Sequence, residues 1–153
     1  IGSPTLVASG AYERRIKALR PDARVDSRAC PLLAPLVEAG WLNKPETAMI
    51  VKKCVHGARV RQVDTLVLGS ACFQVLAKVV QRKVGRRVRL VDGPGALARA
   101  VRDFLAERPD LARRMARNGR DRFVVSDLSR QVLGSARLFF GRSVPLEALP
   151  APQ

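Results

Sequence analysis

Val63-Asp64-Thr65-Leu66-Val67-Leu68-Gly69-Ser70-Ala71-Cys72-Phe73 decides the reading of this chain: an apolar run ends in a glycine and opens onto small, chemically active side chains. Residues 65–68 are apolar or β-branched, the pattern of a strand covered on both faces, and Gly69 permits a tight turn at its end. From Ala71 onward the pattern turns helical, with Leu76, Val79 and Val80 spaced along it up to residue 83. In an open parallel α/β sheet, ligands bind in the crevice beyond the carboxyl ends of the strands. Residues 65–68 are therefore expected as an interior parallel strand, with Ser70, Ala71 and Cys72 at its ligand-facing end.

Around this stretch, 153 residues with 47% hydrophobic content suffice for a sizeable core and argue against disorder as the main state. No apolar run reaches the length of a membrane span. The chain opens at Ile1 without a signal-peptide pattern or an initiator Met, which reads as a piece of a longer protein. Cys30, Cys54 and Cys72 lack metal-ligand spacing, and His56 is the single histidine, so no metal site is expected and a reducing cytoplasm is the natural compartment. Lys and Arg number 28 against 13 Asp and Glu, a net charge of +15. Arg82, Lys83, Arg86, Arg87 and Arg89 form one basic group, and Arg113, Arg114, Arg117, Arg120 and Arg122 another. Aromatic side chains for base stacking are nearly absent from both, so nucleic acid is expected to bind only non-specifically and with strong salt dependence.

Taken in order, residues 1–4 read as the stub of a strand entering a loop, and Ser9 as the cap of a helix whose inner face carries Tyr12 and Ile16. A short strand is expected over 23–27. Pro31 suits the first turn of a helix with a buried stripe of Leu32, Leu33, Leu36 and Val37. Cys30, between strand and helix, occupies a position where a helix dipole lowers a thiol pKa, but a small buried residue is the simpler reading. Pro45 opens the next helix, with Ile50, Val51, Cys54 and Val55 on its inner face and His56 near its end. Gly85 breaks the chain before a strand at 87–91, and Asp92 is placed to cap a helix over 96–106. Helices at 110–117 and 128–140 bracket a strand at 122–126, with Gly119 closing the first of them.

Several of these segments resemble glutamate racemases. The strand Asp64-Thr65-Leu66-Val67-Leu68-Gly69 is similar to the family's second active-site strand, which continues Gly-Cys-Thr-His, an aromatic residue and Pro-Leu-Leu; here Ser70, Ala71, Cys72 and Phe73 follow the glycine. Ala29-Cys30-Pro31-Leu32-Leu33-Ala34-Pro35-Leu36-Val37-Glu38 and Ser9-Gly10-Ala11-Tyr12 resemble two further family stretches, and Asp92-Gly93-Pro94-Gly95 its Val-Asp-Ser junction. The resemblance implies an α/β fold with a doubly wound, mainly parallel sheet flanked by helices. It further implies a second racemase-like lobe at 1–92, carboxy-terminal elements at 93–143 that would return to a first lobe, and a Pro-rich tail at 144–153.

The function implied is that of a cofactor-independent isomerase that interconverts L- and D-glutamate for peptidoglycan synthesis, cell-wall biogenesis and cell shape. Two opposed thiols, one from each lobe, would exchange the α-proton. Ser70 stands at the thiol position of this lobe, and Ala71 and Cys72 stand where the family has the substrate-binding Thr and His. The Ala-Cys-Asn-Thr-like motif of the opposed thiol has no counterpart in the sequence. The resemblance therefore implies glutamate as small-molecule partner, no cofactor, no membrane association, and a chain impaired in catalysis that could self-associate. Non-catalytic binding of a small acid at Ser70 and the amides after Gly69 is the alternative, and a basic nucleic-acid-binding module a further one.

Overall fold

In the computed structural model, residues 1–115, 119 and 121–149 are described. The chain divides into two units, Ile1–Gly95 and Ala96–Gln153. It is an α/β chain, and among the described residues the paired strands run parallel.

The first unit is built around β1, Thr65–Leu66, paired in parallel with β2, Arg89–Leu90. The Arg89 amide donates to the Asp64 carbonyl and the Val91 amide to that of Leu66, at 2.8 and 3.0 Å. On the other side of β1, the Ile1 nitrogen donates to the Val67 carbonyl and the Gly69 amide to that of Ile1, both at 2.9 Å. Gly2 forms a parallel bridge with Ala29 in turn. Laterally the backbone thus runs 28–30, 1–2, 64–69, 89–91, and the β1 segment is hydrogen-bonded on both sides as an interior strand should be. The regular ladder is shorter than the expected 65–68, because beyond Leu66 only the Ile1 side supplies partners.

One face of that segment forms the core. Leu66 and Leu68 are buried, together with Leu33 and Val37 of α3 (Leu33–Glu38) and Val51 and Val55 of α4 (Pro45–Val60). Phe73 and Leu76 of a 3-10 helix, Ala71–Leu76, and Val80 of α5 (Ala77–Val84) complete it. The expected burial on both faces is not met. Thr65 is exposed and Val67 half-buried, and both line an open cleft of about 1370 Å³ shared with Tyr12, Ile16 and Val25. The reason lies in α2, Ala11–Leu19, which contributes no buried residue and leaves Tyr12 43% exposed, so its inner face does not close over the sheet.

Other local expectations are corrected by the same packing. Residues 4–8 form α1, Pro4–Ala8, capped by the Ser3 hydroxyl, which accepts from the Leu6 amide. Ser9 ends α1 instead of starting α2; its hydroxyl donates to the Leu6 carbonyl and accepts from the Ala11 amide. Residues 23–27 form no strand. Leu32 precedes α3 and is 56% exposed, so the expected stripe reduces to Leu33 and Val37, with Leu36 half-buried. Cys30 is buried, and Cys54 lies on the inner face of α4. His56 is exposed and lies one turn before the end of α4, which continues to Val60.

Pro45 opens α4 as expected, and two residues on Thr47 is the one buried polar side chain among the described residues, its hydroxyl donating to the Trp41 carbonyl. Thr47→Val keeps the volume but removes that donor. Leaving a half-buried carbonyl unpaired costs about 1–3 kcal/mol. The urea midpoint of the variant should fall with an unchanged slope.

The Asp92 carboxylate caps α6, Gly93–Ala106, by accepting from the Gly95 amide at 3.0 Å. The second unit contains α7 (Pro109–Arg114), β3 (Phe123–Val125), α8 (Arg130–Phe140) and β4 (Leu146–Ala148). Of the helix expected over 110–117, the end at Arg117 lies outside the described residues, as do Arg120 and the last four residues of the tail. Within the expected tail, residues 146–148 pair in parallel with β3, and Arg122 holds Glu147 at 2.6 Å beside the ladder. No side chain of this unit is buried among the described residues. Phe123 meets Phe140 edge to face at 4.8 Å, yet Leu133, Phe139 and Phe140 are each 47% exposed, and Leu97, Val101 and Phe104 form an exposed stripe along α6. No described helix is long and apolar enough to cross a membrane.

Candidate functional site

The end of the β1 segment is shaped by Gly69. Its φ is not in the left-handed region; what it lacks is room. A Cβ there would lie 2.7 Å from Leu6 Cδ2 and 3.3 Å from the Ile1 carbonyl oxygen. Glycine thus lets α1 and the 1–2 segment close against the strand end.

Ser70 follows in extended conformation and caps the 3-10 helix through its backbone, its carbonyl accepting from the Phe73 amide at 3.0 Å. Its side chain turns the other way. The Ser70 hydroxyl oxygen accepts from the Ser3 amide at 2.9 Å, so it is anchored to the start of α1. Three more bonds fix the rim: Ile1 to Val67 as above, the Gln74 side-chain amide donating to the Leu68 carbonyl at 3.2 Å, and the Tyr12 hydroxyl to the Gly69 carbonyl at 3.4 Å. Ser70 is half-buried, Ala71 exposed and Cys72 half-buried.

Ser3, Tyr12 and Gln74 are contributors that the chemistry-bearing letters of the sequence do not single out. The Ser-Pro pair at 3–4 is a helix-start signal that would have placed Ser3.

The electrostatics do not prepare a base. Burial pushes the Cys72 thiol above its ordinary range, against a smaller opposing effect of a backbone hydrogen bond, and the negative charge of Glu38 adds least to the rise. The thiol is therefore protonated at neutral pH, and Ser70 presents a hydroxyl whose oxygen accepts from the Ser3 amide. Alkylation of Cys72 by iodoacetamide, followed by peptide mass spectrometry against pH, should rise through a midpoint above that of a free thiol, because only the thiolate reacts. A midpoint below it would contradict the assignment.

Cys30 and Cys54 form a separate pair. Their mutual interaction raises the Cys30 thiol, with burial acting in the same direction, and lowers that of Cys54. Asp26 and Ser27 line the cleft, and Asp26 is ion-paired to Arg61. The large cleft reaches Gly69 but is not lined by Ser70, Ala71 or Cys72. No group of three His, Cys, Asp or Glu able to hold a metal occurs among the described residues.

Comparison with known proteins gives a consistent picture. No family model matches the chain. A glutamate racemase of Syntrophus aciditrophicus is 36% identical over 145 residues, covering 95% of this chain and 53% of that protein. One from Symbiobacterium thermophilum is 39% identical over 133 residues, 87% of this chain and 48% of that protein. Among solved structures, the glutamate racemase of Francisella tularensis in complex with D-glutamate superposes with a TM-score of 0.86 at 20% identity, over 97% of this chain and 57% of that one. The Aquifex pyrophilus glutamate racemase gives 0.64 at 29% identity, over 96% and 54%. The chain spans about half the length of the relatives it matches.

Proposed function

Because this chain is related in sequence and fold to glutamate racemases over about half of their length, we propose that it is a racemase-type lobe in which the proton-transfer position is occupied by Ser70, so that the chain alone does not interconvert L- and D-glutamate. The observation that carries this reading is the state of the strand end. Racemisation by two opposed acid/base groups needs one of them deprotonated near neutral pH. The Ser70 oxygen is held by the Ser3 amide, and the thiol of Cys72 is raised by burial. A serine hydroxyl becomes a base or nucleophile only beside a partner that takes its proton.

Two further elements belong to the same reading. Glutamate is the small molecule for which this lobe is built, with Ala71 and Cys72 at the positions where the family resemblance puts Thr and His. The exposed apolar side chains of the second unit are the surface that a first lobe would cover, and without one they favour self-association. The peptidoglycan role and a cytoplasmic setting follow from the racemase relationship and stand with it. The test is exchange of the glutamate α-proton in D2O, followed by NMR for each enantiomer. Exchange catalysed by the unmodified chain overturns the reading.

The alternative of acid binding without turnover is favoured by one feature: the Ser70 hydroxyl accepts from Ser3 yet keeps its own proton to donate. Saturable shifts of backbone resonances around residues 69–72 on adding either enantiomer, with no exchange, would support it.

A further inference from the structure

Residues 65–91 contain six cations and no Asp or Glu, although 13 acids are spread through the rest of the chain. The six are Lys78, Arg82, Lys83, Arg86, Arg87 and Arg89. They lie on α5, on the turn that follows it and at the start of β2. All but Lys83 are exposed, and Lys83 is half-buried. Among the described residues none of them takes part in an ion pair, whereas Lys17, Arg20, Arg61, Arg102 and Arg122 all do. Uncompensated charge held close together raises a local positive potential and is unfavourable unless an anionic partner relieves it.

The turn between α5 and β2 is also preorganised. Gly85 ends α5 with φ +103°, a conformation that a side chain would strain. The Gln81 side-chain amide then donates both to the Gly85 carbonyl at 2.8 Å and to the Val88 carbonyl at 3.0 Å. Arg86 and Arg87 are thereby displayed from a pinned loop, which lowers the entropy lost on docking. Four of the six cations are arginines, whose planar forks bind phosphate oxygens bidentately.

We infer that the α5–β2 turn of the first unit is a sequence-independent docking surface for the phosphate backbone of nucleic acid. The apolar residues of the patch decide against a lipid surface. Val79, Val80, Val84 and Val88 are all buried, at 6, 0, 5 and 8% exposure. A surface helix that settles on a membrane inserts an apolar face, and this one has none to offer. Base stacking is absent as well, since residues 77–91 hold no aromatic side chain. The contact is therefore with the backbone and carries no base readout.

The experiment measures anisotropy of a fluorescein-labelled 20-base-pair duplex DNA of arbitrary sequence against the full chain between 50 and 200 mM NaCl. With four to six cations engaged, affinity should fall roughly 10²–10³-fold over that range, from about 0.9 counterions released per phosphate contact. Arg82→Ala/Arg86→Ala/Arg87→Ala should reduce the slope of log affinity against log salt by about 3. Arg130→Ala/Arg137→Ala/Arg142→Ala, which removes the same charge from the second unit, should leave the slope unchanged. The corresponding Gln triple variant at 82, 86 and 87, which keeps part of each aliphatic stem, serves if the Ala variant melts early by circular dichroism. Equal losses in both triple variants would show that only overall charge matters and would overturn the inference. So would salt-independent binding by the unmodified chain, or tighter binding of phosphatidylserine vesicles than of DNA at the same salt.

Discussion

Glutamate incubated in D2O with the unmodified chain is expected to keep its α-proton at the uncatalysed rate, for both enantiomers and across neutral pH. A positioned general acid or base contributes about 10²–10⁴ to a proton transfer, so losing both members of an opposed pair removes about 10⁴–10⁸. Ser70 cannot supply one of them. Its hydroxyl has no neighbouring base in the sequence, and its oxygen already accepts from the Ser3 amide. Cys72 cannot replace it. Its thiol is raised, and it lies two residues into the turn, where an ångström-scale displacement costs further orders of magnitude. Stepwise repair separates the causes. Ser70→Cys with Ala71→Thr and Cys72→His installs the letters that the racemase resemblance implies and should remain at background on its own. The same triple variant mixed with a first lobe from a racemase should gain exchange of at least 10²-fold over background. Failure of that mixture, with both parts folded, would count against the site assignment.

The second large effect concerns folding. Phe73 is the largest fully buried side chain among the described residues and lies in the 3-10 helix that packs against α3. Phe73→Ala should cost about 3–5 kcal/mol, the transfer free energy of the ring together with the cavity it leaves. A unit of some ninety residues has a total stability on the order of 5–15 kcal/mol. The thermal midpoint should therefore drop by roughly 15–30 °C, or the cooperative transition should vanish. Leu32→Ala is the contrast. Leu32 lies one residue before α3 and is 56% exposed, so its loss should change stability by no more than about 0.5 kcal/mol. Equal losses for the two variants would mean that α3 does not bury the face assigned to it.

Much of this organisation is legible in the residues. The run 65–68 announced an interior parallel strand, and the hydrogen bonds of the segment to residues 89 and 91 on one side and to Ile1 on the other place it there. Pro45, Gly85 and Asp92 each marked an element boundary through their own backbone chemistry, and each stands at one. These signals are local: a missing N–H, a permitted φ, a carboxylate within reach of a helix start. The periodic apolar residues of α4 and α5 were equally readable, because one helix face repeats every three to four residues regardless of what covers it.

What sequence could not contain is which faces meet. Leu32 and Leu33 are chemically alike, yet only Leu33 is turned into the core, because helix α3 begins one residue later than the leucine run. Thr65 and Val67 look like core residues of a buried strand but border an open cleft, because α2 does not close over them. Gly69 read as a turn residue, and the structure shows instead a close approach of Leu6 and Ile1 from sixty residues away. The capture of the Ser70 hydroxyl by Ser3 is the same kind of fact, set by chain segments that only the folded sheet brings together. The boundaries at Pro45, Gly85 and Asp92 and the identity of the reactive letters were determined by sequence alone, since both depend on neighbours within a turn. Burial, close approach and the state of the serine were decided by tertiary structure, since each depends on atoms far away along the chain.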